Sequence, residues 1–221
     1  MSLPEVEVVP AILVKTKEEF LERLKCVSPY VSHVQWDIMD GEFVKNITFS
    51  DPSVLEIYDD KRKNLPLIEV DLMVSTPRDW VERLHHSGVD RLIFHIESLP
   101  LDFDPLFEQA RGLGFSLGIA SDPETPINLA MEILPKVDRF QAMGGRSGFG
   151  GQRFNPVVLE NVRKVRAAFP HVKISVDIGV NAKTAPQIVS AGADILVSGS
   201  AIYDAEDVAK EIESLRKHAE V

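Results

Sequence analysis

Three aspartates lie at or near the ends of apolar segments, where enzymes with parallel sheets place catalytic groups. Asp37, Asp71 and Asp177 each interrupt a run of apolar and β-branched residues. A carboxylate in such surroundings costs free energy unless it is paired, hydrogen-bonded or bound to a metal. Along 34–38, alternation sends Gln35 and Asp37 to the same face of a strand. We therefore expect these side chains to converge on one polar site. The alternative for Asp37 is a structural aspartate that ends a strand.

Glycine-rich segments follow three consecutive strand-like segments in the second half of the chain. The residues expected to bind an anion there are Gly148, Phe149, Gly150, Gly151, Gly179, Gly199 and Ser200. Glycine allows a ligand to approach the backbone closely, and backbone N–H groups can hold phosphate without a basic side chain. The alternative is that these segments are flexible loops. Three of them in succession favour a phosphate site.

Strand-like and helical segments alternate along the chain. The strand-like segments are 8–14, 33–38, 67–74, 91–96, 116–120, 139–143, 172–178 and 195–200. Helical spacing is found between most of them, as in 77–84 and 156–165, and again in 206–218. Alternation of this kind predicts parallel strands joined by helices. Eight units, with no dinucleotide-binding fingerprint after the first strand, favour an α/β protein with a single (β/α)8 TIM barrel domain over residues 1–221.

Composition excludes several classes of partner. The chain has 221 residues and a net charge of −10, with no run of basic residues. We therefore expect no nucleic-acid partner, because a phosphate backbone requires clustered Lys and Arg. No apolar run approaches the roughly 18 residues that span a bilayer, so a cytoplasmic protein without a membrane partner is expected. The single cysteine, Cys26, excludes an internal disulfide and is expected to be a small core residue.

Three methionines and one histidine occupy related positions near strand ends. Met39, Met73 and Met143 could form an adaptable apolar ceiling over a ligand, although core filling explains their spacing equally well. His95 is interpreted as a hydrogen-bonded histidine of the barrel interior rather than as a metal ligand.

The chain resembles the ribulose-phosphate 3-epimerase family over nearly its whole length. Segments 37–49, 148–154 and 192–202 are similar to the family's second-strand signature, phosphate loop and last strand. The resemblance implies a (β/α)8 barrel that interconverts D-ribulose 5-phosphate and D-xylulose 5-phosphate in carbohydrate metabolism, within the pentose phosphate pathway. It also implies that Asp37 and Asp177 exchange the C3 proton on opposite faces of the substrate, with a divalent metal to stabilise the enediolate. The three methionines match the family's apolar cap.

The sequence departs from the family pattern at the metal site. The positions that match the family's metal ligands are Gln35, Asp37, Asp71 and Asp177, and two of them, Gln35 and Asp71, replace histidine. An all-oxygen ligand set favours Mg2+ or Mn2+ over Zn2+, and the alternative is a protein without a metal. Three further departures, Ala11, Ser147 and Ile178, also lie near the site.

Three functions are compatible with this combination of residues. The first is an epimerase of a ketose phosphate with an oxygen-ligand metal site. The second is another enzyme of the phosphate-binding barrel superfamily that acts on a different sugar phosphate. The third is a sugar-phosphate binder without catalytic activity that has lost its metal site. All three have a small sugar phosphate as ligand, and the sequence leaves association into a homo-oligomer open.

Overall fold

Eight parallel strands close into a barrel in the order of the sequence. The computed structural model describes residues 6–56 and 65–218. The strands are β1 (Glu7–Ile12), β2 (His33–Met39), β3 (Leu67–Met73), β4 (Arg91–His95), β5 (Ser116–Ser121), β6 (Arg139–Met143), β7 (Lys173–Asp177) and β8 (Ile195–Ser198). Their ends fall within two residues of the predicted ones. The predicted α/β class and (β/α)8 TIM barrel are confirmed.

Helices lie between successive strands along most of the chain. They are α1 (Lys17–Val27), α2 (Pro77–Leu84), α3 (Asp104–Gly112), α4 (Ile127–Ile133), α5 (Val158–Ala168), α6 (Ala185–Ser190), α7 (Ser200–Tyr203) and α8 (Val208–His218). Among the described residues, none of these helices is long and apolar enough to cross a membrane.

Packing between β2 and α1 fixes the orientation of the second strand. Thr16 and Glu19 form a reciprocal capping box that starts α1. Phe20 of this helix packs on Trp36 of β2, with 4.7 Å between the ring centroids. The Trp36 indole N–H also donates to the carbonyl of Phe49 at 2.9 Å. Because side chains alternate along a strand, this outward anchor turns Gln35 and its partners into the barrel.

Cys26 is exposed, so the expectation that it fills the core was wrong. Helix α1 buries Phe20, Leu24 and Val27, which share one face at helical spacing. Cys26 is two residues from Leu24, about 200° around the helix, and therefore points away from that face.

The barrel interior contains buried polar side chains as well as a small aliphatic cluster. Glu69 and Arg139 form an ion pair and are almost fully buried. The Arg139 Nε–H also donates to the hydroxyl of Ser175 at 3.1 Å. Arg91 reaches Glu69 from the more exposed side at 3.2 Å. Removal of one partner of such a buried ion pair is strongly destabilising, because the other charge is left buried without compensation.

We expect Arg139→Met to lower the free energy of unfolding by about 3–5 kcal/mol, because it leaves the Glu69 carboxylate buried with a weaker partner. The control is Lys136→Met, which removes an exposed ion pair with Asp104 and should cost no more than about 1 kcal/mol. Urea denaturation of the three proteins measures both values. Equal stability of the two variants would show that the interior ion pair does not support the barrel.

Candidate active site

A large cavity opens at the carboxyl ends of the strands. It has a volume of about 730 Å³. Its lining includes the predicted residues Asp37, Met39, Met73, Met143, Gly148, Phe149, Gly150, Gly151, Asp177, Gly179, Gly199 and Ser200. The remaining two predicted residues, Gln35 and Asp71, are fully buried and contribute no lining. The structure thus brings the acidic residues, the methionines and the glycine loops together around one cavity.

Gln35 joins the two aspartates that line the cavity. Its Nε2 donates to Asp37 Oδ1 and to Asp177 Oδ2, each at 2.8 Å. The two aspartates come from β2 and β7, which are not neighbours in the barrel. The amide therefore holds together two carboxylates that the sheet itself would not pair. Its other atom, Oε1, is buried and has no hydrogen-bond partner among the described residues.

Asp71 is fixed by two other buried side chains of the barrel. It lies beside Asp37 in the register of β2 and β3. His95 Nε2 lies 2.9 Å from its Oδ1, and Gln141 Nε2 donates to its Oδ2 at 3.2 Å. The Gln141 carbonyl oxygen accepts in turn from Ser175 at 3.0 Å. These bonds leave Asp71 a single orientation, and they show His95 to be a hydrogen-bonded interior histidine, as the sequence indicated.

Burial and mutual repulsion raise the pKa of the lining aspartates. For Asp37, burial is the main cause and the charges of Asp177 and Asp71 add to it, so its pKa lies well above the usual range. Burial, followed by the charge of Asp71, raises the pKa of Asp177 to about 7. The hydrogen bonds from Gln35 lower both pKa values but do not offset these effects. The cluster must therefore retain a proton or bind a cation.

The acidic cluster is suited to a divalent cation. Asp37, Asp71 and Asp177 each offer a carboxylate oxygen, and the three oxygens lie within 4.8 Å of one another. The unpartnered Gln35 Oε1 adds a neutral oxygen that lacks a donor among the described residues. Ligating carboxylates are typically held by outer hydrogen bonds, as His95 and Gln141 hold Asp71. The residues present thus fit a metal with oxygen ligands.

The glycine-rich loop between β6 and α5 is tethered to neighbouring loops. The backbone N–H and the hydroxyl of Ser147 both donate to Asp122 Oδ1, at 3.1 and 2.5 Å. Asn46 donates to the carbonyl of Gly148 at 2.9 Å. Gly179 has a φ of 73°, and a Cβ there would lie 2.7 Å from the backbone of Phe154. Glycine is required at this position because two backbone segments meet there.

Sequence reasoning missed several residues of the site. The alternation that identified Gln35 and Asp37 as sharing one face also puts Gln141 on the inner face of β6, so it could have been found in the same way. Ser147 was noted as a departure, but its bond to Asp122 depends on loop conformation and has no signal in the sequence. Arg23 lines the cavity although it lies on an outer helix. Its position in the helical pattern of α1 gave no indication that its side chain reaches the cavity.

Comparison with known proteins shows which family this chain resembles. The model of the ribulose-phosphate 3 epimerase family matches residues 7–203. A ribulose-phosphate 3-epimerase of Treponema pallidum is 40% identical over 177 residues, covering 76% of this chain and 79% of the relative. The cytoplasmic isoform from Oryza sativa subsp. japonica is 34% identical over 190 residues, covering 83% and 81%.

Solved structures extend the likeness of fold beyond these relatives. KGPDC from Streptococcus mutans superposes with a TM-score of 0.75 at 11% identity and covers 97% of both chains. An identity this low shows a shared fold alone. The family match over most of the chain and the relatives above 30% identity are more specific: the chain belongs to the ribulose-phosphate 3-epimerase family.

Proposed function

We propose that this protein epimerises a ketose phosphate at C3, interconverting D-ribulose 5-phosphate and D-xylulose 5-phosphate. The observation that carries the proposal is the pair of buried aspartates, Asp37 and Asp177, held by one amide group at the cavity wall. The related epimerases of Treponema pallidum and Oryza sativa support the choice of substrate. A cytoplasmic location is part of the proposal, supported by the name of the Oryza sativa isoform.

The reaction needs two proton carriers. A C–H bond next to a ketone is a very weak acid, so its proton must be taken by a positioned base while negative charge develops on the carbonyl oxygen. Inversion requires the new proton to arrive from the other face. Asp37 and Asp177 come from strands that are not neighbours, so they can flank a planar enediolate. One carboxylate removes the C3 proton, and the other carboxyl group delivers a proton to the opposite face.

The acidic cluster is also the proposed metal site. Asp37, Asp71 and Asp177 would hold the cation, together with the amide oxygen of Gln35. Bound there, a divalent cation would offset the negative charge that develops on the substrate oxygens. Mg2+ or Mn2+ suits this ligand set better than Zn2+, because all four donors are oxygen atoms. Asp71 keeps its orientation through His95 and Gln141, so the cluster is arranged before a ligand enters.

The remaining cavity wall is proposed to hold and enclose the sugar phosphate. The residues assigned to the phosphate group are Gly148, Phe149, Gly150, Gly151, Gly179, Gly199 and Ser200, acting through backbone N–H groups. Met39, Met73 and Met143 line the same cavity and would cover the apolar side of the sugar. Flexible thioether side chains of this kind exclude water while fitting either epimer.

We expect Asp37→Asn and Asp177→Asn each to lower the epimerisation rate by at least about 10²-fold, because an amide cannot exchange the C3 proton. The rate of conversion of ribulose 5-phosphate is measured for the wild type and both variants at equal concentrations of folded protein. Asp79→Asn, on the exposed face of α2, is the matched control and should retain the wild-type rate. If either site variant turned over at the wild-type rate, that aspartate would not be a proton carrier.

We expect the purified protein to bind Mn2+, and Asp71→Asn to weaken that binding about tenfold or more, because the variant removes a charged oxygen ligand. Isothermal titration of the metal-depleted proteins measures the affinities without reference to activity. Asp79→Asn again serves as the control for the loss of one negative charge. Absence of Mn2+ and Mg2+ binding by the wild-type protein would contradict the proposed metal site.

A further inference from the structure

Arg23 of helix α1 lines the active-site cavity although its helix lies outside the barrel. Among the described residues that line this cavity, it is the one Arg or Lys. The side chain is partly buried. The other charged residues of the lining are acidic, namely Asp37, Asp177, Asp204 and Glu211. A cavity for an anionic ligand in a chain of net charge −10 thus contains one fixed cation.

The guanidinium of Arg23 is held in place with most of its donors unused. One terminal N–H donates to the carbonyl oxygen of Leu13 at 3.2 Å. The group also lies over the ring of Tyr203, with 4.6 Å from the guanidinium carbon to the ring centroid. A guanidinium carries five N–H donors. Within residues 6–56 and 65–218, none of the salt bridges includes Arg23, although, after backbone hydrogen bonds, its charge helps to lower the pKa of exposed Glu19 on the same helix. Its remaining donors are available to a ligand.

Tyr203, the residue on which Arg23 stacks, connects Arg23 to Gly199 and Ser200, two of the residues proposed to bind phosphate. Tyr203 ends α7, the short helix that starts at Ser200, and its backbone N–H donates to the carbonyl of Gly199 at 3.1 Å. One helical turn rises about 5 Å. The backbone of Tyr203 is therefore about one turn from the backbone N–H groups of Gly199 and Ser200, and the guanidinium stacks on the ring of this residue. The same cavity reaches Arg23, Gly199 and Ser200.

We propose that Arg23 is a binding residue for the phosphate group of the ligand, adding charged donors to the backbone N–H groups of Gly199 and Ser200. The inference rests on the proposed function for the identity of the ligand as a phosphate monoester. The planar guanidinium presents paired N–H groups that match two phosphate oxygens. Stacking on Tyr203 and the hydrogen bond to Leu13 hold the guanidinium in place before the anion binds, so little side-chain freedom is lost on binding.

The competing explanation is that Arg23 only supports the packing of α1 against α7. In that case its loss would lower stability without changing the affinity for an anion. The two explanations therefore differ in a quantity that can be measured on folded protein.

In the experiment, inorganic phosphate is titrated into the 15N-labelled protein. Binding is monitored by NMR through the amide chemical shifts of Gly199 and Ser200. In the wild type we expect these amides to shift on binding. Arg23→Gln should weaken the affinity roughly ten- to a hundredfold, as expected for the loss of charged hydrogen bonds. Arg23→Lys keeps the positive charge but lacks the paired N–H groups, so its phosphate affinity should lie between those of the wild type and Arg23→Gln. Lys25→Gln, an exposed position of the same helix, removes one charge and should bind as the wild type does.

Each outcome decides the proposal. Wild-type affinity in Arg23→Gln, or equal weakening in Lys25→Gln, overturns it, as do wild-type shifts confined to another surface. If Arg23→Gln does not fold, Arg23→Met, which keeps an aliphatic stem over Tyr203, takes its place in the same comparison. A wild type that binds phosphate in this Arg23-dependent way without epimerising ribulose 5-phosphate contradicts the proposed reaction and supports the binding role.

Discussion

Repulsion among three buried carboxylates is the constraint on which the site depends. Asp37, Asp71 and Asp177 are buried close together, so water screens their charges only weakly. Gln35 joins two of them, and His95 and Gln141 hold the third. The amide of Gln35 keeps Asp37 and Asp177 in place without neutralising them, so this pair retains its tendency to take up a proton or a cation. That tendency is what proton exchange and metal binding both require.

A series of buried polar side chains connects the acidic cluster to the rest of the barrel interior. The hydrogen-bonded series from Glu69 through Arg139, Ser175 and Gln141 ends at Asp71. The series is incomplete, because Glu69 Oε1 and Arg139 Nη2 are buried without a hydrogen-bond partner among the described residues, and such atoms cost stability. Gln35 Oε1 is likewise buried and unpartnered among them. Large aliphatic and aromatic side chains fill the layer between the strands and the outer helices.

Much of this arrangement follows from the order of residues in the chain. Alternation along β2 is a local property, so it predicted that Gln35 and Asp37 share one face, and parallel topology predicted that the strand ends carrying Asp37, Asp71 and Asp177 converge. The specific bonds could not be predicted, because they depend on rotamers and on contacts between distant segments. The bond between His95 and Asp71, the tether of Ser147, and the entry of Arg23 into the cavity are of this kind. Cys26 was misplaced because its small size suggested burial, while the helical angle from Leu24 decided otherwise.

The central claim is that two aspartates, one on each face, move the C3 proton. The most direct measurement is single-turnover epimerisation by the wild-type protein in D2O, with the hydrogen at C3 of the product analysed by NMR. Because the carboxyl group that delivers the new proton differs from the one that removed the old one, the account predicts xylulose 5-phosphate that carries solvent deuterium at C3. A product that retains the substrate's own C3 hydrogen would contradict it.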